Sequence, residues 1–154
     1  MAFDSSLIGT TRTGAALPVT RSRLRLFAKA TGQTDPVFID VDAAKRAGHR
    51  DLPVPPTFFF AVSLEAPAPF GHLADMGVDL RAVLHGGQSF TYHRTAYAGD
   101  ELSASATVAD VFAKKGGALQ FLVTDTTVTD QDGATVATLT ETLIERRLGE
   151  GGNS

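Results

Sequence analysis

The chain contains no cysteine. Disulfides, thiolate metal sites and a cysteine nucleophile are therefore excluded. It also lacks an excess of basic charge: 14 Lys and Arg stand against 17 Asp and Glu, for a net charge of -3. That balance leaves no electrostatic footprint for nucleic acid, so no nucleic-acid partner is expected. Long apolar runs are missing too. The longest, near Phe58 to Leu64, falls far short of the ~18–20 residues of a membrane span, so no membrane association is expected. The N-terminus, Met1-Ala2-Phe3-Asp4-Ser5-Ser6, carries no basic patch before an apolar stretch and does not read as a secretory signal. A cytoplasmic location is the expectation.

What is present suits one domain. The 154 residues fall at the usual domain size. Residues 1–148 are expected to form that domain, with 149–154 as a disordered tail. The character of the chain changes midway. Thr20 can cap a helix from Arg21 to Thr31, with Leu24, Phe27, Ala28 and Thr31 at helical spacing and Gly32 ending it. Asp40 or Asp42 can cap a shorter helix through Ala43, Ala44 and Ala47, closed by Gly48. Pro55-Pro56 then starts a run, Thr57 to Glu65, that is apolar on every side. It predicts a buried central helix ended by Pro67 and Pro69.

The second half reads as strands. Gln88 to Arg94 is one. Leu102, Ala104, Ala106 and Val108 alternate with smaller or polar residues, and Leu119, Phe121 and Val123 do so again after the turn Lys114-Lys115-Gly116-Gly117. Asp132-Gly133 is a two-residue hairpin signal, followed by a Thr-rich strand from Ala134 to about Arg146. Long antiparallel strands joined by tight turns can curl round one helix, which defines an α+β class.

In this order and spacing, several stretches resemble the MaoC-like dehydratases, most closely the N-terminal or FAS1-like dehydratase type. They are Phe27-Ala28-Lys29-Ala30-Thr31-Gly32, Asp35-Pro36-Val37-Phe38-Ile39-Asp40, Pro53-Val54-Pro55-Pro56-Thr57-Phe58, Leu84-His85-Gly86-Gly87-Gln88, Ala98-Gly99-Asp100-Glu101-Leu102 and Asp130-Gln131-Asp132-Gly133. The resemblance implies a hot-dog fold, an antiparallel sheet wrapped round a long central helix. It implies a substrate that is an acyl-CoA or acyl-carrier thioester, hydrated or dehydrated with R specificity, and no cofactor.

Active members carry Asp-x-Asn-Pro-x-His on the loop after the first helix. The Asp and His bracket one water; one takes its proton while the other protonates the α-carbon. In this chain Gln33 stands at the Asp position, Asp35 at the Asn and Phe38 at the His. Gln is no base near neutral pH, and Phe transfers no proton. The catalytic residues are thus unknown, and Phe38 is expected to line the mouth of an acyl pocket. The resemblance places substrate at the helix start, against Thr57, Phe58 and Phe59, where Thr57 and Phe58 are the first N–H donors after the two prolines; the Gly86-Gly87 backbone, which a ligand can approach closely, adds His85 and Gly86 as candidate contacts.

No metal site is expected, because His85 and His93 lie about 26 Å apart along an extended strand. His93 reads as a sheet residue and His49 as a surface loop residue that could meet carrier phosphates. His72 carries no signal, and Asp100 reads as a turn residue. Ser63 and Glu65 lie outside any Gly-x-Ser-x-Gly elbow. Arg21, Arg23 and Arg25 share no helix face and read as solvated, though Arg can meet phosphates. Four functions stay open: an acyl-thioester-binding subunit of a MaoC-like (R)-specific enoyl-CoA hydratase or 3-hydroxyacyl dehydratase without independent catalysis, paired as a homodimer or with a catalytically intact subunit; an autonomous hydratase using Asp35 or His85; a hot-dog thioesterase; and a non-enzymatic acyl-CoA binding module.

Overall fold

The first helix forms where its caps place it. The Thr20 side chain accepts from the Arg23 amide, and α1 runs Arg21–Thr31. Its apolar stripe buries Leu24 and Ala28, with Phe27 packed alongside. Gly32 ends it in the left-handed conformation at φ 68, which glycine adopts without strain. The Gln33 amide then returns to the Ala28 carbonyl at 2.8 Å. That bond fixes how the chain enters the next loop. The second helix, α2 (Val41–Arg46), is capped by Asp40 rather than Asp42. The computed structural model describes residues 3–65 and 70–147.

The central helix is shorter than expected. A single 3-10 turn, Pro56–Phe58, leads into α3 (Phe59–Ser63). Two causes are visible. Pro55 and Pro56 donate no amide at the start. At the other end the Ser63 hydroxyl donates to the Phe60 carbonyl, while Leu64 and Glu65 close on Ala61 and Val62 in tight i→i−3 bonds. The expected terminators Pro67 and Pro69, like the tail from Gly149, lie outside the described residues. The segment is nevertheless central: Phe58, Phe59 and Val62 are buried, packed with Leu17, Leu24, Leu52, Leu102, Val128 and Leu139. Beyond it lies the short α4 (Gly71–Asp75).

The sheet is antiparallel throughout. Two short strands unread in the sequence, β1 (Thr11–Thr13) and β2 (Leu17–Pro18), pair with β4 (Glu101–Lys114). The order across the sheet is β1-β4-β5-β6-β3, with β5 at Leu119–Thr129, β6 at Thr135–Arg146 and β3 at Val83–Tyr92. β3 thus starts five residues before the expected Gln88 and forms one end of the sheet. The β5–β6 connection is longer than a two-residue turn. Asp130 organises it by accepting the Asp132 and Ala134 amides, with Gly133 at φ 78. Alternation puts Leu102, Ala104 and Val108 of β4, Leu122 and Val128 of β5, and Leu139 and Leu143 of β6 on the buried side. This is the hot-dog arrangement, with helices on one face of a curled sheet. Among the described residues, no helix is long and apolar enough to cross a membrane.

Candidate functional site

A bulge in β3 builds the site. His85 stands opposite Leu143 and Gly87 opposite Thr142, so Gly86 is the extra residue of the register shift. On a regular strand, positions 85 and 88 would face opposite sides. With the extra residue, His85 and Gln88 turn to the same cavity. A Cβ at Gly86 would lie 2.7 Å from Ile144 Cδ1, so any larger residue there must move the Ile144 side chain. The place of Gly86 is therefore in the backbone of the bulge and not on the cavity wall.

The cavity encloses about 710 Å³, within the range of small-molecule pockets. Phe27 of α1, Phe60 of α3, Leu73 of α4, and Val83, Phe90 and Leu143 of the sheet give it an apolar wall. Besides Thr57, three polar side chains of the sheet converge on that wall. Gln88 lies directly across from Glu141 in the sheet register. His85 Nε2 is 3.3 Å from Gln88 Oε1 and 3.4 Å from Glu141 Oε1. Burial raises the Glu141 carboxyl above its ordinary value, opposed by His85 and then Arg12. Glu141 also borders a second chamber of about 410 Å³, which holds Arg12, His72 and Thr124. Arg12 Nη1 and His72 Nδ1 are 3.0 Å apart there. Glu141 thus divides the apolar cavity from a more polar one.

The positions expected to bind substrate separate. Thr57 and His85 line the large cavity. Phe58 is core, edge-on to Phe27 at 5.3 Å. Its amide donates to Pro55 at 3.0 Å, which engages one of the two expected donors at the helix start. Phe59 faces a different depression with Tyr92 and His93. Phe60, its neighbour in the triple, is the ring that faces the cavity.

The loop positions lie elsewhere. Gln33 Oε1 accepts the Asp35 amide at 3.0 Å, and Asp35 Oδ1 accepts the Val37 amide at 3.0 Å. Both side chains thus hold the turn Pro36–Phe38 in place. Neither they nor half-buried Phe38 are among the residues lining the cavity.

The remaining candidates are structural contacts. Asp100 is buried and accepts from the Tyr97 amide, Arg50 and Gln131, as a turn residue should. His49 meets the Tyr97 hydroxyl and His93 meets Thr138. The arginines of α1 are engaged rather than simply solvated. Arg21 grips Asp51 through two hydrogen bonds and holds its carboxyl down to about 2, Arg23 pairs with Glu65, and Arg25 donates to the Ile39 carbonyl.

Sequence reading passed over Glu141 and Gln88. A signal for Glu141 was present: it shares the parity of Leu139 and Leu143, a charged residue on the apolar face of a strand. Gln88 likewise shares the parity of Phe90, and the bulge hides only that it joins His85 on one side.

Comparison with known proteins matches this architecture. The family described as FAS1-like, dehydratase domain region, matches residues 6–139. The chain belongs to that family, within the MaoC-like dehydratases. A UPF0336 protein from Clavibacter michiganensis subsp. michiganensis is 43% identical over 86% of this chain and 89% of its own. Another, from Streptomyces griseus subsp. griseus, is 35% identical over 97% and 99%. Among solved structures, a chain of the C-terminally truncated HadBC (3R-hydroxyacyl-ACP dehydratase) complex from Mycobacterium tuberculosis superposes with a TM-score of 0.78 at 26% identity. It covers 94% of this chain and 99% of that one.

Proposed function

We propose that this chain is the acyl-thioester-binding subunit of a MaoC-like (R)-specific enoyl-thioester hydratase or 3-hydroxyacyl dehydratase, and that a catalytically intact second hot-dog chain performs the proton transfers. The observation that carries this reading is the divorce of cavity from loop. An apolar cavity of acyl size persists, while Gln33 and Phe38 occupy the two acid–base positions and Gln33 and Asp35 are tied into a turn. Neither Gln nor Phe can take a proton from water or give one to carbon.

Assembly follows from the sheet. β3 ends it, with Leu84 and Tyr92 about half exposed. An unpaired edge of ten residues invites a second sheet edge, so a dimer with a continuous sheet across the interface is expected. The HadBC relative, a complex by its name, supports a two-chain assembly. The test is turnover. The purified chain alone should hydrate crotonyl-CoA and longer trans-2-enoyl-CoA esters well below about 1 per second, the low end of ordinary enzymes. Adding an intact hot-dog partner should supply activity.

One observation favours a second reading, an autonomous hydratase. The His85–Glu141 pair is a potential acid–base couple inside the cavity. Turnover by the chain alone that is abolished by His85→Ala would establish that reading, whereas Asp35, engaged as a cap, would not matter to it.

A further inference from the structure

The polarity of His85, Gln88 and Glu141 has no role in holding an unsubstituted alkyl chain. A chain lying against these groups would strip water from them, most of all from Glu141, and return no hydrogen bond, which costs free energy beside an apolar wall. The fold nonetheless brings all three together. It does so through a bulge whose glycine no larger residue can replace without moving Ile144.

The contacts among the three leave capacity. They engage one oxygen of Gln88, one oxygen of Glu141 and one nitrogen of His85. Neither contact uses the Gln88 amide nitrogen or the second Glu141 oxygen, so the group can both donate to and accept from a visitor. Donors and acceptors side by side match a hydroxyl better than a group that only accepts.

The location says which hydroxyl. Reaction at the thioester end belongs to the loop corresponding to 33–38, and in this chain that loop does not line the cavity. The cavity therefore takes the part of the acyl chain remote from the reacting carbons. Resting on the acyl-binding reading above, we propose that His85, Gln88 and Glu141 form a recognition site for a hydroxyl carried on the acyl chain beyond its reacting carbons, so that the preferred ligand is a distally hydroxylated acyl thioester.

Calorimetric titration of the protein, in the assembly in which it purifies, separates the possibilities. The probes are dodecanoyl-CoA, 3-hydroxydodecanoyl-CoA, and dodecanoyl-CoA esters bearing one hydroxyl at successive positions from carbon 6 to carbon 12. At least one distally hydroxylated ester should bind about tenfold more tightly than dodecanoyl-CoA, the effect of one satisfied rather than stripped polar group. Glu141→Leu should erase that preference while still binding dodecanoyl-CoA. Glu141→Gln, which keeps an acceptor oxygen on an isosteric side chain, should retain most of it and guards against a mere folding defect in the leucine variant. Equal or tighter binding of the plain chain by the wild type overturns the proposal, as does a preference that survives Glu141→Leu. Preference for the 3-hydroxy ester alone overturns the distal assignment. Failure of every ester to bind overturns the acyl-binding reading itself, and the proposal with it.

Discussion

The loop after α1 and the bulge in β3 both carry polar residues in the same hot-dog fold, yet they use them in opposite ways. Gln33 and Asp35 turn inward on their own backbone, each accepting an amide two residues ahead. His85 and Gln88 turn outward from theirs into a shared cavity and meet Glu141 from another strand. Local hydrogen bonds make the first region a rigid connector. Non-local convergence makes the second a place where a ligand can be read. A family motif position is thus no guide to where chemistry-bearing groups gather. Whether a side chain bonds its own loop or faces a cavity with distant partners is the better one.

Carboxylates sharpen the comparison, because the chain uses them in three settings. Asp100 is the purely structural case, buried beneath Arg50 and holding the Tyr97 amide. Asp100→Ala should cost about 3 kcal/mol, since it removes the buried acceptor of the part-buried Tyr97 amide and the buried end of the Arg50 pair. Acyl binding per folded molecule should not change. Denaturant titration beside ligand titration reads both. A loss of affinity without loss of stability would place Asp100 in the site.

The bulge comes next in size. Gly86→Val should destabilise by roughly 1–3 kcal/mol through overpacking on Ile144. It should also separate His85 from Glu141 and weaken ligand binding. The double variant Gly86→Ala with Ile144→Val should recover part of the stability. A neutral Gly86→Val would show that the bulge has slack. Asp35→Ala should cost less, about 1 kcal/mol, as the loss of one exposed cap does. It should leave binding and assembled activity unchanged.

Much of the fold was legible for physical reasons that these regions illustrate. Thr20 and Gly32 bracket α1 with side-chain and left-handed caps, both visible as residue types. Alternation of Leu102, Ala104 and Val108 reports a strand with one buried face. The central helix was overread, because an all-apolar run does not say how far helical hydrogen bonds extend, and Ser63 closes them early. β1 escaped notice because its three exposed residues, Thr11, Arg12 and Thr13, carry no period. Of the residues expected to meet substrate, Thr57 and His85 line the cavity, while Phe58, Phe59 and Gly86 lie in the core, a neighbouring depression and the bulge. Which ring of Phe58-Phe59-Phe60 meets the cavity depends on the rotation of a short helix, and sequence spacing does not set that.

The smallest effect is a pH dependence. The folded-state pKa of Glu141 lies above its unfolded one, so its protonated form is favoured by folding. Its contribution is complete below about pH 4, the ordinary Glu range. It fades as pH rises through the folded value. The melting temperature of the wild type relative to Glu141→Gln should therefore fall between pH 4 and pH 8. A difference that stays flat, or rises, would mean that His85 and Arg12 outweigh burial.

On the function proposed above, the chain keeps an acyl cavity but lacks the residues for proton transfer. Calorimetric titration of the protein with dodecanoyl-CoA at several temperatures tests the cavity most directly, with trans-2-dodecenoyl-CoA turnover followed in the same preparation. Saturable binding with a negative heat-capacity change, the mark of apolar burial, is expected, with no turnover without a second, intact chain. Absence of binding, or efficient hydration by this chain alone, would contradict that function.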